Sequence, residues 1–129
     1  MCIIGLRSMN QYVSLQSQSD RAFVASCSSI QFIRTAKDFL ELLAWGMEHG
    51  TTLFILEDSN FVREFYDLKT GLAGELLQKI PNYRVRLAIV GTFGMVTSDR
   101  FRELMAEANK GSQVHFARGR DDALSWLLE

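Results

Sequence analysis

Side chains that could bind or react are concentrated in residues 65–79, with the sequence FYDLKTGLAGELLQK. Asp67 and Thr70 stand where this segment turns into a predicted helix, so either one is a candidate for the helix cap. The free N–H groups and the dipole of a helix N-terminus favour anions, and a phosphate on Thr70 would be stabilised there. The spacing therefore predicts either a binding or switch site at this position or an ordinary capped helix start.

The predicted helix has an apolar face and a polar face. The apolar side chains recur at helical spacing, which predicts burial against a sheet, and they are Leu72, Ala73, Leu76, Leu77 and Ile80. On the polar face, Glu75 and Lys79 have the i,i+4 spacing of an ion pair. Gly71 and Gly74 lie beside them, and a glycine inside a helix costs about 0.8–1.0 kcal/mol relative to alanine. Either a ligand or partner approaches these glycines or they pack against a neighbouring strand or subunit, so we expect close contact at both.

A second group of polar residues follows the predicted buried strand TTLFILED at residues 51–58. In α/β sheets, ligands bind outside the carboxyl ends of the parallel strands. The side chains expected at that edge are Glu57, Asp58, Asn60, Asp67, Thr70, Thr92, Ser98 and Arg118. Glu57 and Asp67 in one pocket would form an acid/base pair, because crowding raises the pKa of one carboxyl group. The alternative is that these carboxylates cap helices and hold loops.

Aromatic and apolar residues lie in two segments close to these polar groups. Phe61 and Phe65 belong to SNFVREFY, which predicts a short turn or a helical lid, and Phe93 and Met95 belong to the loop TFGMV. An apolar patch with a charged rim is typical of an interface, so these four residues are interface candidates for a protein partner or a homodimer. The alternative is that these loop residues fold down onto the core.

The order of elements predicts one α/β domain that covers all 129 residues, in which the first ten residues are a peripheral extension. Residues 12–27 predict a β-hairpin, after which helical and strand patterns alternate. Residues 35–38 resemble a capping box at the start of the first helix, and Pro81 predicts that the second helix ends just before it. We expect a mixed sheet, with three parallel strands carried by helices and about four helices in all.

Composition narrows the possible functions. A net charge of −1 gives no general attraction to nucleic acid or acidic membranes. Cys2 and Cys27 are too few for a disulfide framework, and no signal peptide or apolar run of membrane-spanning length is recognisable, so we expect a cytoplasmic protein. The two histidines, His49 and His115, lack the spacing of a metal site, and GLAGE lacks the pattern of a phosphate-binding loop. No metal or cofactor is therefore predicted.

Three segments, FYDLKTGLAGELLQK, NYRVRLAIVG and ANKG, resemble the bacterial family catalogued as domain of unknown function 4180, over roughly residues 30–129. The element order is also similar to the STAS domain, the anti-sigma-factor antagonist fold. In that fold a strand ends in Asp-Ser-x-Gly-Leu, and phosphorylation of the serine at a helix start switches partner binding. The counterparts in this sequence are Asp67, Thr70, Gly71 and Leu72.

The resemblance implies a STAS-like α/β sandwich that acts as a small regulatory or protein-interaction module, with contact at the helix that begins near Thr70. The alternative is a small-molecule-binding enzyme that uses Glu57 and Asp67 at the carboxyl ends of the parallel strands. A deep pocket holding both carboxylates would favour the enzyme.

Overall fold

The computed structural model describes residues 9–129, so most of the predicted N-terminal extension, including Cys2, lies outside the described residues. The predicted hairpin is confirmed: strands β1 (Val13–Gln18) and β2 (Arg21–Ser26) pair antiparallel. Ser19 and Asp20 form the turn between them with φ of 54° and 63°. Two-residue hairpin turns of this left-handed kind match the twist of the strands that they join.

Helices and strands alternate after the hairpin, as the sequence predicts. They are α1 (Ala36–Glu48), β3 (Leu53–Glu57), α2 (Leu72–Tyr83), β4 (Arg86–Val90), α3 (Asp99–Asn109), β5 (Val114–Ala117) and α4 (Arg120–Leu127). The sheet has the strand order β1-β2-β3-β4-β5, in which β2 to β5 are parallel and β1 is antiparallel. The expected α/β class, mixed sheet and four helices are therefore confirmed.

The sheet lies between two layers of helix. Along β3, Phe54 and Leu56 point into a core shared with α1, α2 and α3, while Leu53 and Ile55 point into a second core against α4. Because the strand order follows the chain order, crossovers of one hand place the first three helices on the same face. Within residues 9–129, no helix is long and apolar enough to cross a bilayer.

The helix boundaries agree with the sequence at α1 and differ at α2. Thr35 and Asp38 form the expected capping box. Helix α2 continues through Pro81 to Tyr83 and ends at Arg84, whose φ of 56° is left-handed. The predicted stop before Pro81 is wrong: the fixed φ of proline is compatible with a helix, and the one N–H that it lacks removes a single hydrogen bond, to the carbonyl four residues earlier.

Two arginines hold the C-terminal end of α4 against the sheet. Arg86 on β4 donates to the carbonyl oxygens of Trp126 and Leu127, each at 3.0 Å, and Arg21 on β2 donates to Leu128 at 2.9 Å. Cations at a helix C-terminus complement the unpaired carbonyls and the helix dipole. The same hydrogen bonds hold α4 in place, and its first residue, Arg120, lies at the carboxyl edge of the sheet.

Candidate functional site

The segment between β3 and α2 is an anchored series of 3₁₀ turns, Asp58–Asn60, Arg63–Tyr66 and Leu68–Thr70. Phe61 and Phe65 are buried within the chain, with ring centroids 4.5 Å apart, and Tyr66 packs edge-on against Phe65. The expected turn is confirmed, but Phe61 and Phe65 are core residues rather than an exposed patch. Successive 3₁₀ turns bury Phe61, Phe65 and Tyr66 at positions that follow neither a helical nor a strand period, so no sequence pattern indicates their burial.

The loop after β4 also folds onto the core. Phe93 is buried, with its ring centroid 5.6 Å from that of Phe116, and Met95 is half-buried against the same core. The four interface candidates therefore do not form the exposed apolar patch expected from the sequence. Phe93 instead follows the alternative interpretation, in which the loop residues pack onto the core.

The backbone of Phe93 is held in an unusual conformation. Its φ is 58°, which is uncommon for a large side chain and is tolerated only where the surroundings enforce it. The Asp58 carboxylate accepts a hydrogen bond from the Phe93 N–H at 2.9 Å and packs directly on Gly91, where a Cβ would overlap it. Gly91 therefore allows Asp58 to tie the end of β3 to the loop after β4.

Tyr66 also bonds to Asp58, through the Asp58 backbone. Its hydroxyl donates to the Asp58 carbonyl oxygen at 2.6 Å. Burial raises the pKa of Tyr66 far above its ordinary value, and the negative charge of Asp58 acts in the same direction. Tyr66 is thus a neutral hydrogen-bond donor that helps to position Asp58.

Asp67 and Thr70 lie at the surface just before α2. The Asp67 carboxylate accepts from the Lys69 N–H at 3.1 Å, so it caps the turn Leu68–Thr70 rather than the helix. The Thr70 hydroxyl lies 2.7 Å from the Glu64 carbonyl oxygen and 2.9 Å from that of Asp67. It also accepts the N–H of the first α2 residue at 3.3 Å. Thr70 therefore links the turn to the helix.

The polar face of α2 differs from its sequence prediction. Gly71 occupies the N-cap position with a φ of 81°, a left-handed conformation that explains the glycine. A Cβ built on Gly71 or Gly74 meets no atom within 4 Å, so the expected close contact is absent in residues 9–129. Glu75 and Lys79 likewise form no ion pair within the described chain. The glycine at position 74 has no explanation in contacts or in a positive φ.

An open groove of about 830 Å³ runs between α2 and α3. Its apolar walls are Leu68, Leu77, Leu104 and Ala108, and its charged rim consists of Arg100, Glu103 and Glu107. Leu77 belongs to the apolar stripe predicted from the sequence, yet it is only half-buried, as are Leu104 and Ala108. The available signal was the width of that stripe, because the outermost apolar residues of a broad stripe reach the surface.

A second cleft, of about 360 Å³, lies at the carboxyl ends of β2, β3 and β4. Its polar and charged lining comes from Ser26, Glu57, Asp58, Thr92 and Arg120. Arg120 donates to the Gln16 side chain at 2.9 Å and, among the described residues, forms no ion pair with Glu57. Glu57, Asp58 and Thr92 are predicted at this edge from the sequence, whereas Ser26 and Arg120, which reach it from separate elements, are not.

Asp67 belongs to a third cleft, of about 490 Å³, whose lining includes Arg63, Lys69 and Ser98. Glu57 and Asp67 therefore do not line a common pocket, and the expected carboxylate pair is not formed. The 3₁₀ turns Asp58–Asn60 and Arg63–Tyr66 separate the end of β3 from Asp67.

Asn60 is a buried structural residue. Its side-chain oxygen accepts from the Glu57 N–H at 2.8 Å, and its side-chain nitrogen donates to the carbonyls of Ser28 and Ile30 at 3.0 and 2.9 Å. The side chain is fully buried, so these bonds satisfy groups that have no access to water. Asn60 joins the loops after β2 and β3 and leaves no side-chain surface for a ligand.

The histidines lie away from all three clefts. His49 caps the end of α1 and its ring lies 2.7 Å from the Trp45 carbonyl oxygen. His115 stacks on Trp126, with ring centroids 5.0 Å apart, and its Nε2 is 3.7 Å from the Asp122 carboxylate. Within residues 9–129, no three histidine, cysteine or acidic side chains lie close enough together to hold a metal ion.

The fold and these surfaces define a small α/β domain with a five-stranded mixed sheet and an open helical groove. Residues 18–127 match the family described as "Domain of unknown function (DUF4180)", and the chain belongs to that family. A search of curated proteins and a search of solved structures found no match. The family resemblance seen in the sequence is confirmed, and the STAS likeness stays a prediction.

Proposed function

We propose that the chain is a STAS-like regulatory module that binds an amphipathic helix of a protein partner in the groove between α2 and α3. The observation that carries the proposal is the groove itself. Leu68, Leu77, Leu104 and Ala108 form an apolar surface between two adjacent helices. Amphipathic helices bind in apolar grooves of this kind through side chains at helical spacing. An apolar floor with a polar rim is also the usual composition of a protein interface.

The charges around the groove favour a basic partner. Glu103 and Glu107 lie one turn apart on the rim, and Arg100 lies one turn before them. Glu107 has an ion-pair partner, Lys110, at 3.6 Å, but both side chains are strongly exposed, so this pair is weak. A partner helix with lysine or arginine beside its apolar face would complement the two carboxylates.

Phosphorylation of Thr70 would regulate binding in the groove. Leu68 lines the groove and belongs to the turn that the Thr70 hydroxyl holds through the carbonyls of Glu64 and Asp67. Phosphorylation would replace this donor with a group of about −1.5 to −2 charge, which accepts hydrogen bonds and repels those carbonyl oxygens. The turn would rearrange, and the wall formed by Leu68 would move with it. Exposure of Thr70 leaves it accessible to a kinase.

The direct test is affinity purification of partners from native lysate with wild-type and variant chains. Leu104→Glu places a charge in the groove, and Met47→Glu makes the same kind of change at an exposed position on α1. We expect Leu104→Glu to lose partners that wild type and Met47→Glu retain. If Leu104→Glu does not fold, reversal of the exposed rim charges Glu103 and Glu107 to lysine provides the test. Equal recovery by folded groove variants and wild type would contradict the proposal.

The switch is tested with substitutions at Thr70. Thr70→Ser keeps the hydroxyl, whereas Thr70→Glu adds charge and removes the donor. We expect Thr70→Ser to recover partners like wild type and Thr70→Glu to change recovery severalfold. Unchanged recovery with Thr70→Glu would remove the switch but leave groove binding intact.

A second candidate function is small-molecule binding in the strand-end cleft. Its volume of about 360 Å³ and its position at the carboxyl ends of parallel strands are typical of ligand sites. Glu57 and Arg120 supply opposite charges there, without Asp67. Ligand screening by thermal shift tests this function: a hit should be lost with Glu57→Gln and kept with Asp67→Asn. Loss with both variants or with neither would contradict binding in this cleft.

The compartment is also part of the proposal. Cys27 is an exposed free thiol. Exposed thiols persist in reducing compartments, which supports the expected cytoplasmic location.

A further inference from the structure

The two edges of the sheet differ in whether side chains of the described residues cover their outward backbone groups. At the β5 edge, the Asn109 side chain accepts from the Phe116 N–H at 2.7 Å and donates to the Phe116 carbonyl at 3.0 Å. The neighbouring residues on β5 bond to β4, so these are the Phe116 groups that face away from the sheet. Natural proteins cover such edges because unpaired strand groups pair readily with other chains. Asn109 therefore blocks the middle of the β5 edge.

The β1 edge has no equivalent protection among the described residues. The Cys27 N–H donates to the Tyr12 carbonyl, and in an antiparallel pair every second residue bonds to the neighbouring strand. The backbone groups of Val13, Leu15 and Ser17 therefore point away from β2. In residues 9–129, no hydrogen bond reaches these outward groups. The strand VSLQSQ contains no charge and no proline, the two features that most often guard an edge.

We propose that β1 pairs antiparallel with β1 of a second copy of this chain, about a two-fold axis at Leu15, so that the two sheets become continuous. In this register Leu15 faces the partner copy's Leu15, and Val13 faces the partner copy's Ser17. Each outward residue offers one N–H and one carbonyl, so the two strands satisfy each other's groups. An isologous contact of this type closes as a dimer and does not extend further.

The side chains support pairing with an identical strand. Directly opposite like charges destabilise a strand pair, and β1 has none to oppose. Leu15 is 43% exposed although it lies on the face that carries the main core, and the self-pairing would cover it with a second leucine. The occupant is therefore a copy of the same uncharged strand, and the contact is separate from the α2–α3 groove.

Solution mass measures this directly in the full chain. We expect wild type to form a dimer of twice 14.7 kDa and Leu15→Lys to be a monomer, because the substitution sets two lysines opposite each other. Ile30→Lys is the matched control, since Ile30 is also an exposed aliphatic residue but lies outside β1, and it should stay dimeric. A monomeric wild type at every accessible concentration, or a dimer that Leu15→Lys leaves intact, would overturn the proposal.

A cross-link tests the register and does not depend on the stability of the lysine variant. In a background with Cys2 and Cys27 replaced by serine, Leu15→Cys should form an intermolecular disulfide on mild oxidation. Directly opposite hydrogen-bonded residues have Cα atoms about 5.5 Å apart, within disulfide range. Ser17→Cys should cross-link poorly, because Ser17 faces Val13 of the partner copy. Equal cross-linking at positions 15 and 17, or none at either, would contradict the register.

Discussion

Replacement of Gly74 by alanine should stabilise the protein. Gly74 lies in the first turn of α2, is exposed, and has a φ outside the left-handed region. A Cβ at this position meets no atom within 4 Å, so the methyl group causes no clash. The gain is then the difference in helix propensity, about 0.8–1.0 kcal/mol, some of which arises from lower entropy of the unfolded chain. For a chain of this length, that corresponds to a rise in Tm of about 3–5 °C.

Gly71 provides the matched contrast, because it lies three residues earlier and also has open space around it. Its φ of 81° is left-handed, so Gly71→Ala should destabilise by about 1–2 kcal/mol. Urea unfolding followed by circular dichroism measures both variants against wild type. Destabilisation by Gly74→Ala would refute the reasoning, because it would mean that the chain itself packs against this position. Stabilisation together with loss of partner recovery would identify Gly74 as a contact for the partner.

Three further substitutions test the interactions that shape the site. Asn60→Asp should cost about 3–5 kcal/mol in urea unfolding, because a buried carboxylate replaces the donor to two carbonyls, and a loss below about 1 kcal/mol would contradict its structural role. Arg86→Lys should cost about 1.5–3 kcal/mol, since lysine cannot reproduce the paired donation to the end of α4 or the stacking over Trp126; unchanged stability would show that this clamp contributes nothing. Tyr66 keeps its proton in the folded state, so stability should fall as pH rises above about 10, the pKa of an unfolded tyrosine. Tyr66→Phe should cost about 1 kcal/mol at neutral pH and weaken that alkaline loss, and an unaltered alkaline profile would refute the assignment.

The elements were predictable because their signals are local. Residues 35–38 identify the start of α1, the continuous apolar run of β3 indicates a strand buried on both faces, and the hairpin has its turn at residues 19–20. The alternation of helix and strand then leaves few arrangements of a mostly parallel sheet. Family membership was recognisable for the same reason, since it depends on contiguous segments.

The site was harder to predict because burial and pairing depend on distant parts of the chain. Phe61 and Phe65 occur in a polar segment, and only the packed turns place them in the core. Asn60 has a polar side chain that could bind a ligand, yet its hydrogen-bond partners lie about 30 residues away, at Ser28 and Ile30. Glu57 and Asp67 are close in sequence but are separated by the turns between them. Sequence spacing predicts proximity only where the backbone between two residues is regular.

Photo-cross-linking in the groove tests the proposed function most directly. A photoreactive amino acid would replace Leu104 in the groove or Met47 on α1, and each variant would be irradiated in native lysate. We expect a specific protein adduct from position 104, with the cross-linked peptide in an amphipathic, basic helix, and none from position 47. An adduct at position 47 with none at position 104, in folded variants, would contradict the account of this chain as a helix-binding module.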